Sequence, residues 1–170
     1  MTPIQRSALC TAIAAINLPH IEFWAEHTQA ETVPYTKLLT KVLSYLRGEL
    51  KSQANLLRFH DEFYAWREQQ TEEDSLAYRI LELCNAAIYS SVESLFDPEC
   101  NDIELLEGTL ESCWIEMTEL GAETSDLRNY WAELRAEILS YVSDKRQIPL
   151  PKEYFALIKD ADVSLFGIGS

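Results

Sequence analysis

The stretch from Ser75 to Phe96, SLAYRILELCNAAIYSSVESLF, constrains the fold more than any other. Its apolar and small residues Ile80, Leu81, Cys84, Ala87, Ile88, Ser91, Val92, Leu95 and Phe96 recur at steps of one, three and four. With about 3.6 residues per turn, those steps put them on one side of a helix. Leu76, Ala77, Leu83, Ala86 and Ser90 carry small or apolar surface onto the flanks and leave only a narrow polar strip. A helix apolar over most of its circumference is usually surrounded by other helices. Residues 75–96 are therefore expected to form the central rod of a bundle.

The segments on either side read as helices able to cover it. Thr2-Pro3-Ile4-Gln5 predicts a capped start, with Thr2 as N-cap, Pro3 at the first helical position and Gln5 reaching back. Ile4, Ala8, Leu9, Ala12, Ile13 and Ile16 give that helix a buried face, and Asn17-Leu18-Pro19 interrupts it. A short helix follows to about Thr28, with Ile21, Phe23 and Trp24 available to bury. Pro34 opens a third helix to about Lys51, which carries Lys37, Lys41, Arg47 and Lys51 on its outer side. The spacing of Leu56, Phe59, Phe63 and Trp66 predicts a fourth helix, before a polar loop at 69–74. Beyond Asp97-Pro98, helices are expected from about Asp102 to a cap at Gly121, from Thr124 or Ser125 to about Val142, and over 151–160.

Seven or eight helices joined by short loops predict an all-α, single-domain bundle over residues 1–170. The apolar tail 161–170 contains Leu165, Phe166 and Ile168. It is expected to dock on the bundle, or on a second subunit in a homodimer.

Composition narrows the function classes. The formal charge is −14, and residues 97–137 hold twelve acidic and two basic side chains, a net of −10. A nucleic-acid binder needs a basic face, so that class is set aside. No apolar run approaches the roughly 20 residues that cross a bilayer, and MTPIQRSALC does not read as a secretion signal. Cys10, Cys84, Cys100 and Cys113 form no CxxC and no zinc spacing, and three of them sit on apolar faces where cysteine behaves as a small core residue. The expectation is a reduced, cytoplasmic protein.

Three segments in order carry a family resemblance: Leu18-Pro19-His20-Ile21-Glu22-Phe23-Trp24, Arg79 to Ala86 in the central helix, and the ending Asp162 to Ile168. They resemble the YjaG-like family, small bacterial proteins catalogued as a domain of unknown function. The resemblance spans nearly the whole chain. It implies an all-helical fold and a bacterial cytoplasmic setting, and it implies no activity.

No motif marks a reaction centre. HExxH, ExxH, GxSxG and a glycine-rich phosphate loop are all absent, so no catalytic residue, metal site or cofactor is assigned. Two surfaces remain as candidates. Along the central helix, Tyr78, Glu82, Asn85 and Tyr89, with Arg79 beside them, could line a pocket for a small-molecule or metal-binding enzyme that also draws on His20 or His60. The plainer reading makes that strip the solvent side, or pairs Glu82 with a basic residue of the third helix. On the sixth helix, Glu104, Glu107 and Glu111 could dock a basic protein, where the plainer reading is a solvated face. The leading expectation is a non-enzymatic interaction or regulatory protein that presents an acidic surface to a partner. Alternatives are the enzyme at Glu82 and an immunity-type protein that neutralises a basic toxin.

Overall fold

The first helix begins as its cap residues dictate. The Thr2 hydroxyl accepts from the Gln5 amide, and the Gln5 side chain accepts from the Thr2 amide at 2.9 Å, with Pro3 next in line. In the computed structural model, which describes residues 1–169, eight helices follow in order: α1 (Pro3–Ile16), α2 (Leu18–Thr28), α3 (Val33–Leu46), α4 (Gln53–Glu68), α5 (Leu76–Phe96), α6 (Asp102–Glu119), α7 (Ser125–Tyr141) and α8 (Lys152–Asp160). The fold is an all-α, single-domain bundle. Among the described residues the β-structure is one isolated bridge, between Val163 and Gly169.

Two glycines end their helices through backbone geometry. Gly48 (φ +78°) and Gly121 (φ +98°) occupy the left-handed region that only glycine enters freely. At each, paired bonds close the last turn: Glu49 N–H to Ser44 O with Gly48 N–H to Tyr45 O, and Ala122 N–H to Met117 O with Gly121 N–H to Thr118 O. The third helix therefore stops at Leu46. Leu50 and Lys51, expected within it, lie in the loop beyond.

The bundle is built on two inner helices. Helix α5 packs against α1, α2, α3, α4 and α6, while α1 touches α2, α3, α5, α6, α7 and α8. Ten of the fourteen residues of α1 are buried, including Gln5, Ser7 and Thr11. The expected single rod is thus one half of a central pair. Small residues make the pair possible. The short Ser7 side chain donates to the backbone carbonyl of Ser91 at 2.7 Å in the interior, which requires the two helices to lie close together. Ala8 and Ala12 of α1, and Cys84 and Ala87 of α5, are fully buried in the same core.

Outer helices anchor to this pair by buried hydroxyls. Tyr35 of α3 donates to Ala14 O at 2.7 Å, and Tyr154 of α8 donates to Ala8 O at 2.6 Å, both rings being fully enclosed. All four cysteines are free and buried. Burial holds the Cys10 thiol up at about 12 and Cys113 at about 11, so neither is a ready thiolate.

The C-terminal segment docks on its own chain. Leu165 and Phe166 are buried, Leu165 N–H donates to Asn17 Oδ1 at 3.0 Å, and Trp114 Nε1 donates to Leu165 O at 2.9 Å. Tyr130 of α7 donates to Val163 O at 2.8 Å. The Asn17 break between α1 and α2 is therefore also the seat of the tail. Ser170, the last residue of that expected tail, lies outside the described residues. No single helix among them is long and apolar enough to cross a membrane.

Because the α1–α5 contact depends on small side chains, Ala87→Leu should overpack it and lower stability by about 1–3 kcal/mol in urea unfolding. Ala136→Leu on the exposed side of α7 should change it by no more than about 0.5 kcal/mol.

Candidate functional site

The polar strip of α5 faces α4 and is half-enclosed by it. Asn85 is fully buried, and its Nδ2 donates to Gln70 Oε1 at 2.8 Å and to Glu82 Oε1 at 3.2 Å. The other oxygen of Glu82 accepts from Arg67 Nη2 at 3.2 Å, with the Glu82 side chain 33% exposed. Glu82 is thus paired from α4, and not from the third helix as the sequence suggested. Of the basic residues expected on the third helix, Lys41 lies over the Phe59 ring and Arg47 over the Phe155 ring, while the helix buries Tyr35, Leu38, Leu39, Val42 and Leu46. Asn85 Oδ1 and Gln70 Nε2 are buried without partners.

One turn further along, Tyr89 stacks on His60 with ring centroids 4.4 Å apart, and Tyr64 lies 5.8 Å from Tyr89. His60 Nε2 is 3.6 Å from Glu93 Oε1, too long for a hydrogen bond. Burial lowers the His60 pKa and outweighs the opposing pull of Glu93, so the ring is neutral at pH 7.

Where the strip opens to solvent it forms a groove of about 350 Å³. Tyr64, Tyr78, Glu68, Glu72 and the Arg67–Glu82 pair line it. The neighbouring Glu68 carboxylate raises the pKa of the Tyr64 phenol. Tyr78 is raised first by burial, then by the charges of Glu82 and Glu72.

Of the five expected pocket residues, the structure brings together Tyr78, Glu82 and Asn85, and sets Tyr89 beside them. Arg79 turns away. Its Nε donates to Glu116 Oε2 of α6 at 2.9 Å and its Nη1 to Asp74 at 3.0 Å. One residue from Tyr78 is about 100° around the helix, which carries Arg79 to the α6 side.

The acidic face of α6 is also largely spoken for. Glu107 accepts from Arg135 Nε at 2.9 Å and from Trp131 Nε1 at 3.1 Å. Glu111 takes Arg128 through Nε and Nη2 at 3.1 and 2.9 Å. Among the described residues, only Glu104 of the three stands exposed without an ion pair. The reason lies in α7, whose two arginines fall on the face that meets α6, so a run of acids in sequence becomes a set of inter-helix pairs.

The histidines do not converge on Glu82. His60 sits with Tyr89 and Glu93, His27 is exposed, and His20 reaches the tail, 2.8 Å from Ser164 Oγ. Ser164 Oγ accepts from Phe166 N–H at 3.1 Å and Ile168 N–H at 3.0 Å. Both lone pairs are then used, so the hydroxyl proton points to His20 Nε2 and the imidazole must be neutral there. Burial agrees, lowering the His20 pKa to about 4. A serine donating to a histidine is half of a nucleophile–base pair. Here the serine is fully buried and its lone pairs are committed to a turn, so the contact is a clasp on the tail.

Beside this clasp runs a groove of about 520 Å³ between the α1–α2 bend, α8 and the tail. Its walls include Ile16, Leu18, Leu39 and Ile158, and its lip carries Phe23, Glu22 and Glu26. Phe23 was expected inside and is 65% exposed. Residues two apart point about 200° from each other on a helix, so burying Ile21 turns Phe23 outward. That angle was readable from the sequence once Ile21 and Ala25 are taken as the inner face.

Comparison with family models, curated proteins and solved structures finds no match for this chain. Among the described residues, no group of three or more His, Cys, Asp or Glu side chains could hold a metal ion. The geometry of the grooves therefore carries the functional argument.

His20 has a lower pKa folded than unfolded, so the unfolded chain binds more protons between about pH 6.5 and 4. Stability should be fully present above pH 6.5 and decline as pH falls through that window. In thermal melts across this range, His20→Gln, which keeps an acceptor and does not titrate, should show a flatter pH profile than the native chain.

Proposed function

We propose that this protein is a non-enzymatic interaction or regulatory protein that binds a basic, amphipathic segment of a partner protein in the groove between α2, α8 and the tail. The observation that carries this reading is Phe23, a large aromatic side chain 65% exposed at the lip of an apolar-walled groove. Exposed aromatics at a concave apolar surface are typical anchors of protein interfaces.

Charge supplies the second half of the match. Glu22 and Glu26 flank Phe23 on the exposed side of α2, and neither has an ion-pair partner among the described residues. They differ in this from Glu107 and Glu111, whose charge is met by Arg135 and Arg128. A chain with a net charge of −14 also steers a basic partner toward itself over long range. The bacterial, cytoplasmic setting is part of the same proposal and rests on the resemblance to the YjaG-like family.

Affinity capture from a bacterial lysate should test it, using the native chain, Phe23→Asp and the double variant Glu22→Lys/Glu26→Lys. All three positions are exposed, so circular dichroism should be unchanged. A basic protein held by the native chain and by Glu104→Lys, and lost at least tenfold by the two groove variants, is the expected result. Recovery of that protein by Phe23→Asp at the native level would refute the groove as the docking surface.

A further inference from the structure

Where the C-terminal ends of α2 and α4 meet, two tryptophans wall a cavity of about 260 Å³. Trp24 of α2 and Trp66 of α4 stand at 85° to each other, with ring centroids 5.8 Å apart. We propose that this cavity binds a small quaternary ammonium ion that carries a hydroxyl, of the choline class. The volume is below the roughly 300–1,000 Å³ of sites for drug-sized ligands, and suits a smaller molecule.

Three features select a cation with a methylated head. Two indole rings crossed at nearly a right angle form a corner of π surface, the setting in which quaternary ammonium groups are held. Two helices also end here, α2 at Thr28 and α4 just before Gln69 and Gln70, and all three residues line the cavity. Helix C-termini carry partial negative charge, about −0.5 each. Glu73 is the one charged side chain in the wall, and it has no ion pair among the described residues. Arg67, in the last turn of α4, does not offset these charges, because it pairs with Glu82 outside the cavity. A metal ion would find no cluster of three His, Cys, Asp or Glu side chains among the described residues.

Gln70 indicates the rest of the ligand. It lines the cavity, its Oε1 accepts from Asn85 at 2.8 Å, and its Nε2 is buried with no acceptor. Turning the amide over would set two N–H donors against each other, so Nε2 keeps its unmet hydrogens. An unmatched buried donor costs stability and is uncommon in native interiors. The hydroxyl oxygen of choline, two carbons from the ammonium nitrogen, would be the missing acceptor.

Isothermal titration with choline chloride tests the assignment, at fixed ionic strength and pH 7. The expected result is saturable binding at one site, weakened about tenfold or more in Trp24→Leu and in Trp66→Leu. Glu73→Gln, at an exposed position where the fold is not at stake, should weaken it about threefold, and Glu104→Gln should leave it unchanged. Two analogues separate the contributions without touching the protein. The uncharged isostere 3,3-dimethyl-1-butanol lacks the cation, and ethanolamine lacks the methyl groups; each should bind about tenfold more weakly than choline. The absence of saturable choline binding would overturn the proposal, as would equal binding of either analogue. Equal loss in Glu104→Gln and Glu73→Gln would also overturn it, by marking general attraction of a cation to an acidic protein. These outcomes are separate from those at Phe23, since the two cavities share no wall residue.

Discussion

The close approach of α1 and α5 sets the terms for everything outside them. Ser7 donates to the Ser91 carbonyl across the pair, and the small residues Ala8, Ala12, Cys84 and Ala87 are fully buried in the same core. Once joined, the two present a surface that no single helix could. Tyr35 and Tyr154 then reach α1 carbonyls from α3 and α8, so the outer layer is fixed by hydrogen bonds to backbone as well as by apolar burial. The break at Asn17 belongs to the same design. A side chain at the bend, freed from the helix, becomes the acceptor that seats Leu165 and with it the tail.

Charge is distributed by the fold and not by the sequence order. The acids of α6 run as a block along the chain, yet Arg79, Arg128 and Arg135 arrive from α5 and α7 to meet Glu116, Glu111 and Glu107. Partly exposed pairs of this kind contribute about 0–1 kcal/mol each, so their main effect is to remove α6 from the list of free acidic surfaces. The carboxylates left without such pairs include Glu22 and Glu26, which edge the larger groove, and Glu68 and Glu72, which edge the smaller.

Much of the architecture was legible because it rests on local rules. The Thr2–Gln5 cap, the Asn17–Pro19 break, the Gly121 stop and the apolar stripes of α4 and α5 each follow from a few neighbouring residues. The candidate site was legible only in part. Tyr78, Glu82 and Asn85 share a strip by helical spacing; Tyr78 and Glu82 line one groove, and Asn85 is buried and hydrogen-bonded to Glu82. Arg79 sits beside Tyr78 in sequence but about 100° away on the helix, and Arg67, which pairs with Glu82, lies fifteen residues distant on another element. Nothing in periodicity names a partner across that gap. The exposure of Phe23 stayed hidden for a similar reason, since an aromatic beside a tryptophan invites burial until the inner face of α2 is known.

By itself the amino-acid order determined that this chain is helical, where most helices begin and end, and that one of them is too apolar to lie outside. These are consequences of backbone hydrogen bonding and of a period of about 3.6 residues, which act over a few positions. Only the tertiary structure decided that α1 shares the centre, that the α6 acids are met by arginines of α5 and α7, and that two grooves keep unpaired carboxylates at their lips. Those outcomes depend on which helix faces come together, and helix packing is settled by the shapes of surfaces far apart in the chain.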